Sequence, residues 1–201
     1  MKTIDVEKAV SIFRQGGIVI YPTDTTFGVG CRIDASESIS RLFEIRKRPQ
    51  TQATPVLVSS IEMAKKYLTP LSSRVKNLMI KYWPGGLTIV YPCMIKAVPL
   101  LARGGGLTLG VRMPNNIQTL HMIEEVGVPI LGPSANFHEE PTPFSISNLD
   151  PQLVQLVDGV VDGTCKTKMP STVIDCSKDE WKILRQGSVH VQILYEKLPH
   201  N

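Results

Sequence analysis

Three short segments of the chain group hydroxyl, amide and guanidinium side chains at spacings that suit chemistry. The first is Tyr21–Gly30, YPTDTTFGVG, where three threonines and an aspartate sit directly beyond the apolar run GIVIY. Polar side chains just past a strand commonly face a ligand, and these hydroxyls suit a small polar substrate carrying a carboxylate or hydroxyl. The same residues also suit a self-contained Asx or Ser/Thr turn, with Gly28 and Gly30 supplying the bend. The second segment is Arg46-Lys47-Arg48, ahead of Pro49. It fits a solvated cationic face at a helix C-terminus, and it equally supplies guanidinium forks for a triphosphate. The third is Pro133-Ser134-Ala135-Asn136, after the apolar VPILG. Those small polar groups can contact a phosphate or base, or close an Asx turn.

Several chemistries are disfavoured at once. No Lys-Ser/Thr pair follows the glycines of the first segment, so there is no Walker loop. Ser134 is not framed as a nucleophile elbow, and no histidine neighbours it as a base. His121, His138, His190 and His200 lack metal spacing, and Cys31, Cys93, Cys165 and Cys176 form no close pair. No protein metal site is expected. The 201 residues are 42% hydrophobic and 20% charged, enough for one sizeable core without disulfides, so a single domain over residues 1–201 is expected. The net charge of +4 helps a polyanion approach but falls short of a dedicated nucleic-acid binder. No apolar run reaches membrane length and MKTIDVEKAV lacks a signal core. A cytoplasmic location with no membrane partner is the expectation.

The elements that must position these segments follow from periodicity. Val6, Ala9, Val10 and Phe13 recur at helical spacing until Gly16-Gly17. Ile39, Leu42 and Phe43 mark a helix after Ser36 or Ser38, and PVLVSS reads as a buried strand. Ser59 with Glu62 suggests a capping box for a helix carrying Ala64, Tyr67 and Leu68. Thr69-Pro70 suggests the start of the next, with Leu71, Val75, Leu78, Met79 and Tyr82 on one face and Pro84-Gly85-Gly86 as its stop. LTIVYP, GLTLGVRMP and VPILG read as strands, Ile117 to Val126 as a helix ended by Gly127, and Asp150-Pro151 as the cap of a short helix. STVIDC and WKILRQG read as paired strands, and VHVQILYE as a final strand or helix. Non-periodic connections span Arg46–Pro55, Val98–Leu107 and Phe137–Asn148. The alternation gives an α/β fold with a twisted, mostly mixed β-sheet flanked by helices.

In order, YPTDTTFGVG, FEIRKRP with Pro55, WPGGLTIV, VRMPNN, GPSAN, MPSTVID and ILRQGSV resemble the motifs of the YrdC-like family, from about Gly17 to Val189. Its central members are threonylcarbamoyl-adenylate synthases, and the resemblance is to the single-domain form. It implies one α/β domain around a concave positive cavity. It also implies an ATP-dependent nucleotidyltransferase making L-threonylcarbamoyl-AMP and pyrophosphate from L-threonine, bicarbonate and ATP, with Mg2+ held mainly through the phosphates. Partner proteins would then transfer the threonylcarbamoyl group to adenosine 37 of tRNA. By the same resemblance Arg46 and Arg48 face the nucleotide phosphates, and Arg112 lies near threonine and the reacting phosphoryl group. Arg48 and Arg112 are then the catalytic pair. Ser134, Asn136 and Arg185 contact the nucleotide, while Thr23, Thr26, Thr54 and Ser171 line the threonine end.

The chain departs from that pattern at four places. Arg46 stands for the usual lysine, Thr54 for a longer polar residue, and Phe27 for a frequent tyrosine, while FHEEPTPF replaces the usual Ser-Gly continuation after GPSAN. Two other readings remain open at this level. One is a non-catalytic protein that binds double-stranded RNA, tRNA or the ribosome, and the other a paralogue acting on a different small substrate.

Overall fold

The computed structural model describes residues 2–191. Helix α1 (Val6–Arg14) begins where the Asp5 carboxylate accepts from the Lys8 amide at 2.7 Å, and it buries Ala9, Val10 and Phe13. Strand β1 (Val19–Tyr21) turns into β2 (Gly28–Gly30), then come α2 (Ser36–Ile45), β3 (Val56–Leu57), α3 (Ile61–Lys65) and α4 (Ser73–Tyr82). Strand β4 (Leu87–Pro92), β5 (Thr108–Arg112), α5 (Ile117–Val126) and β6 (Ile130–Leu131) follow. The chain closes with α6 (Pro151–Leu156), β7 (Gly159–Val160), β8 (Thr172–Asp175) and β9 (Lys182–Arg185). None of these helices is long and apolar enough to cross a membrane.

The strands form a mixed six-stranded sheet, β6-β3-β5-β4-β8-β9, and a three-stranded one, β2-β1-β7. Pairs β1–β7, β3–β5 and β4–β8 are parallel, and the rest antiparallel. One mixed sheet was the simpler expectation, and the interruption has a local cause. Between β2 and β6 the amides of Val29 and Ile33 bond the carbonyls of Pro133 and Pro129, while Leu131 and Ala135 donate to Cys31 and Phe27. The two prolines lack an N–H, and they fall only where an acceptor is needed, so the two sheets are stitched together through a frayed ladder. Gly30 makes the approach possible, since a Cβ there would stand 1.9 Å from the Leu131 carbonyl oxygen.

Strand β1 is buried on both faces, which is why GIVIY shows no alternation. Val19 and Tyr21 pack with α1 and α5, through Phe13, Met122 and Ile123. Ile18 and Ile20 belong to the larger core, which also takes Ile39, Leu42 and Phe43 of α2 and Val75, Leu78 and Met79 of α4.

Two helix starts differ from expectation. Ser60, not Ser59, caps α3 by accepting from Met63 N at 3.1 Å, and Glu62 instead pairs with Lys65 at 2.6 Å. Helix α4 begins after Ser72 rather than at Thr69-Pro70. There the Thr69 amide and hydroxyl both donate to the Pro92 carbonyl, so the segment is held extended against the end of β4. The helix Ile117–Val126 ends on Gly127 in the left-handed region, as its sequence requires. Of the segment expected as a strand or helix at VHVQILYE, Val189, His190 and Val191 form neither, and the rest lies outside the described residues.

Candidate functional site

The RKR run is a shaped turn. After α2 the Lys47 amide bonds the Glu44 carbonyl and the Arg48 amide bonds the Phe43 carbonyl, with Lys47 at φ 53°. This is a Schellman closure with lysine where glycine is usual. It leaves Lys47 exposed, its ammonium 5.2 Å from the Phe137 ring centre, and turns Arg46 and Arg48 into a cavity. Arg46 is only 3% exposed. Its Nε donates to the Asn136 carbonyl at 3.0 Å and its Nη2 to Asn136 Oδ1 at 3.4 Å, while Nη1 is buried with no partner. Burial, helped by neighbouring Arg48, lowers its pKa to about 10. Arg48 is tied to the carbonyls of Gln52 and Ala53, and burial lowers its pKa too.

The Tyr21–Gly30 segment divides between turn and site. The Thr23 hydroxyl accepts from the Thr25 and Thr26 amides and donates to the Thr26 carbonyl at 2.6 Å, so it closes its own turn and does not line the cavity. Thr23, expected at the threonine end, is thus placed in a turn and not in the cavity lining. Thr25 and Thr26 line the cavity. Asp24 is buried and forms an ion pair with Arg112, and it also accepts from the Asn115 amide at 3.0 Å. Arg112 further donates from Nη1 to Thr25 Oγ1 at 2.6 Å and from Nε to the Gly85 carbonyl at 2.9 Å. The WPGG turn is thus part of the seat for Arg112. Burial lowers the pKa of Arg112, and Asp24 opposes the shift.

Sheet register supplies the far wall. Parallel β4 and β8 pair Thr88 with Val173, which leaves Ser171 just ahead of β8 with its hydroxyl 2.9 Å from that of Thr88. Antiparallel β9 then brings Arg185 back, and it donates from Nε to the Ser171 carbonyl at 3.0 Å and from Nη2 to Ser171 Oγ at 3.1 Å. Thr172 serves the backbone instead, because its hydroxyl gathers the Gly187 and Val189 amides and donates to the Val189 carbonyl. Burial and the charge of Arg112 lower the pKa of Arg185.

These pieces enclose a cavity of 150 Å3 that brings together Thr26, Arg46, Arg48, Arg112, Ser134, Ser171 and Arg185. Asn136 stands one layer behind and does not line it. Its Oδ1 accepts from Ser134 Oγ at 2.6 Å and its Nδ2 donates to the Glu140 carbonyl at 2.6 Å, so its polar atoms face the wall and not the space. Thr54 lines a second cavity of 400 Å3, which shares Pro55, Thr88 and Arg185 with the first, and its buried hydroxyl has no partner. Thr25, one of the three threonines of YPTDTTFGVG, also faces the first cavity, as do Thr88 and Thr142, which sequence reasoning does not single out. For Thr88 no local signal exists, because it is one hydroxyl in a strand; Thr142 sits inside the FHEEPTPF segment, which stands out in the sequence only as a departure. Among the described residues no carboxylate is within ion-pair distance of Arg46, Arg48 or Arg185. Nor does any group of three or more His, Cys, Asp or Glu among them suit a metal ion.

Arg46, buried, Arg48, half-buried, and Arg185, exposed, share a cavity with a row of hydroxyls in a mixed-sheet α/β fold, and none has a counter-charge among the described residues. The family model described as Sua5_yciO_yrdC, telomere recombination, matches residues 11–187, and the chain belongs to that family. It is 30% identical over 185 residues to the threonylcarbamoyl-AMP synthase of Bacillus subtilis, covering 92% of this chain and 54% of that protein. It is 32% identical over 163 residues to the threonylcarbamoyl-AMP synthase of Xanthomonas euvesicatoria, covering 80% and 87%. The crystal structure of Pyrococcus abyssi Sua5 complexed with L-threonine matches with a TM-score of 0.85 at 29% identity, over 90% of this chain and 54% of that one. The chain therefore spans about half the length of the Bacillus and Pyrococcus proteins.

Proposed function

We propose that this chain makes L-threonylcarbamoyl-AMP and pyrophosphate from L-threonine, bicarbonate and ATP, supplying the threonylcarbamoyl group for tRNA modification. One observation carries the reading: Arg46, Arg48 and Arg185 converge on one cavity with no carboxylate among the described residues to neutralise them. Cations gathered in this way, Arg46 most deeply buried among them, call for an anion, and a triphosphate meets the demand of several at once. Arg112, already paired with Asp24, suits the less charged substrate, beside the hydroxyls of Thr25 and Thr26. The adjoining 400 Å3 cavity, walled by Pro55, Val90, Val173 and Leu184, gives room for the nucleoside.

The chemistry joins these substrates. The threonine amine condenses with bicarbonate to a carbamate, losing water, and a carbamate oxygen attacks the α-phosphorus. The phosphoanhydride bond breaks and pyrophosphate leaves with its electron pair. Negative charge grows on phosphoryl oxygens during the step, so fixed guanidiniums and hydroxyls serve it without a histidine base. The nearby Asp24 carboxylate is committed to Arg112 and the Asn115 amide. A divalent cation would therefore be held by the substrate's phosphates, where it would neutralise charge. The test is pyrophosphate release with each substrate omitted in turn, with the product identified by mass. Release that requires ATP, L-threonine and bicarbonate together supports the reading. Release indifferent to threonine overturns it.

A further inference from the structure

Charge is segregated along this chain. Between Glu44 and Glu124 lie eleven lysines and arginines and a single acid, Glu62, although the whole chain carries 22 basic and 18 acidic residues. Arg46, Arg48 and Arg112 line the anion cavity, but much of the excess stands elsewhere. Lys65 and Lys66 at the end of α3 and Lys76 of α4 line a separate groove of 500 Å3, together with the buried Leu68 and Leu71 and the exposed Met94. None of these residues lines either cavity of the site. Pro92, which leads β4 toward Met94, lies four strand residues beyond Thr88, a distance of about 13 Å.

Helix stability accounts for part of the cluster. Lys65 and Lys66 suit the negative end of α3, and Lys65 is paired with Glu62 at 2.6 Å. Lys76 has no such reason. It stands fourth in α4, whose first turn holds no acid, near the end where the helix dipole disfavours a cation. Arg74 of the same turn is placed over the Trp181 ring at 4.3 Å. Neither Lys66 nor Lys76 has a carboxylate within ion-pair distance among the described residues. Apolar surface is left open alongside: Met94 is 47% and Ile95 53% exposed. Leu107, whose carbonyl accepts from the Cys93 amide, is 69% exposed.

We infer that this groove docks an acidic, amphipathic segment of a partner protein, its apolar side chains on Leu68, Leu71 and Met94 and its carboxylates on Lys66 and Lys76. The lining sets the class of partner. A nucleic-acid backbone would engage the lysines but has nothing to place on leucine and methionine. No arginine or aromatic side chain lines the groove to fork a phosphate or stack a base. Methionine adapts readily to an incoming apolar group, and lysine stems spread over apolar surface while their ammoniums reach outward. Charges this exposed make the contact fast to form and sensitive to salt. The inference is independent of the cavity and its reaction.

Fluorescence anisotropy with the full chain tests it. The probe is a labelled peptide of about 15 residues, with leucines at helical spacing and glutamates on their flanks. It is compared with a scramble of the same residues and with a labelled RNA duplex. The patterned peptide should bind with a Kd below about 100 μM, at least about fivefold tighter than the scramble. Binding should weaken about tenfold in Lys66→Gln/Lys76→Gln and in Met94→Ser. Lys2→Gln/Lys8→Gln, which removes the same charge beside α1, should leave it unchanged, and pyrophosphate release should be unchanged in every variant. A scramble that binds as tightly overturns the inference, as does undiminished binding by the lysine variant or the methionine variant. An RNA duplex held more tightly than the peptide, and released by Lys66→Gln/Lys76→Gln, overturns it in favour of a nucleic-acid face. No peptide binding up to about 1 mM overturns it outright. If Met94→Ser fails to fold, the lysine variant and the scramble still decide it.

Discussion

The two ends of the cavity solve opposite electrostatic problems. At one end Arg112 is buried against Asp24, and each charge is answered within the fold. At the other, Arg46 is at least as buried, yet its partners are neutral oxygens and one nitrogen has none among the described residues. Burying a charge is costly unless it is paired, so the first end is self-sufficient and the second is held in want of an anion. The contrast separates residues that keep the site folded from residues that keep it ready. It also distinguishes the cavity's cations: Arg112 is answered by Asp24, whereas Arg46 and Arg48 have no carboxylate among the described residues within ion-pair distance.

The comparison can be broken most sharply by truncating one arginine at each end. Arg112→Ala leaves Asp24 buried without its partner and should cost about 3–5 kcal/mol of stability. Arg46→Met, by contrast, removes a desolvated charge that no carboxylate balances, and should leave stability unchanged or raise it slightly while lowering pyrophosphate affinity. Urea denaturation of both variants checks this, and equal destabilisation would erase the distinction between the ends. A second measure is ligand stabilisation: pyrophosphate at a hundred times its Kd should stabilise the parent by about 2.7 kcal/mol. At that same concentration the gain should shrink by half or more in Arg46→Met, which thermal melts with and without pyrophosphate would show.

The hydroxyl row should matter less. Thr88→Val breaks the bond to Ser171, which also holds Arg185, and should cost about 1 kcal/mol in stability, with a modest rise in the KM for ATP. An unaltered melt and unaltered KM would place this wall outside the working site. Smallest of all is Lys47→Gly. Lysine holds a left-handed conformation there, so glycine should stabilise the protein by up to about 1 kcal/mol without changing pyrophosphate affinity. A drop in affinity would mean that the Lys47 charge belongs to the positive end after all.

Legibility followed the range of the forces involved. Helix α5 was readable to its ends because Asn116 and Gly127 cap it locally, and the pairing of β8 with β9 was readable because a short connection joins them. The start of α4 was not, since Thr69 is claimed by Pro92, far along the chain. In the site, Arg46, Arg48, Arg112, Ser134, Ser171 and Arg185 were named from ordered motifs, and one cavity gathers them. Thr23 shows the limit: a hydroxyl in YPTDTT has equal access to substrate or to its own backbone, and only the folded turn chooses.

The sequence by itself determined the α/β character, the strands that bury both faces, and the residue types from which an anion site is made. Local spacing and apolar periodicity decide these. The tertiary structure alone decided that Arg112 is neutralised by Asp24, that Thr88 meets Ser171, and that Arg46 is bonded to Asn136. These are contacts between residues 83 to 90 positions apart, fixed by sheet register and by the turn that closes α2. Charge and hydrogen-bonding capacity are written in each side chain, but which of them meet is settled only by the fold.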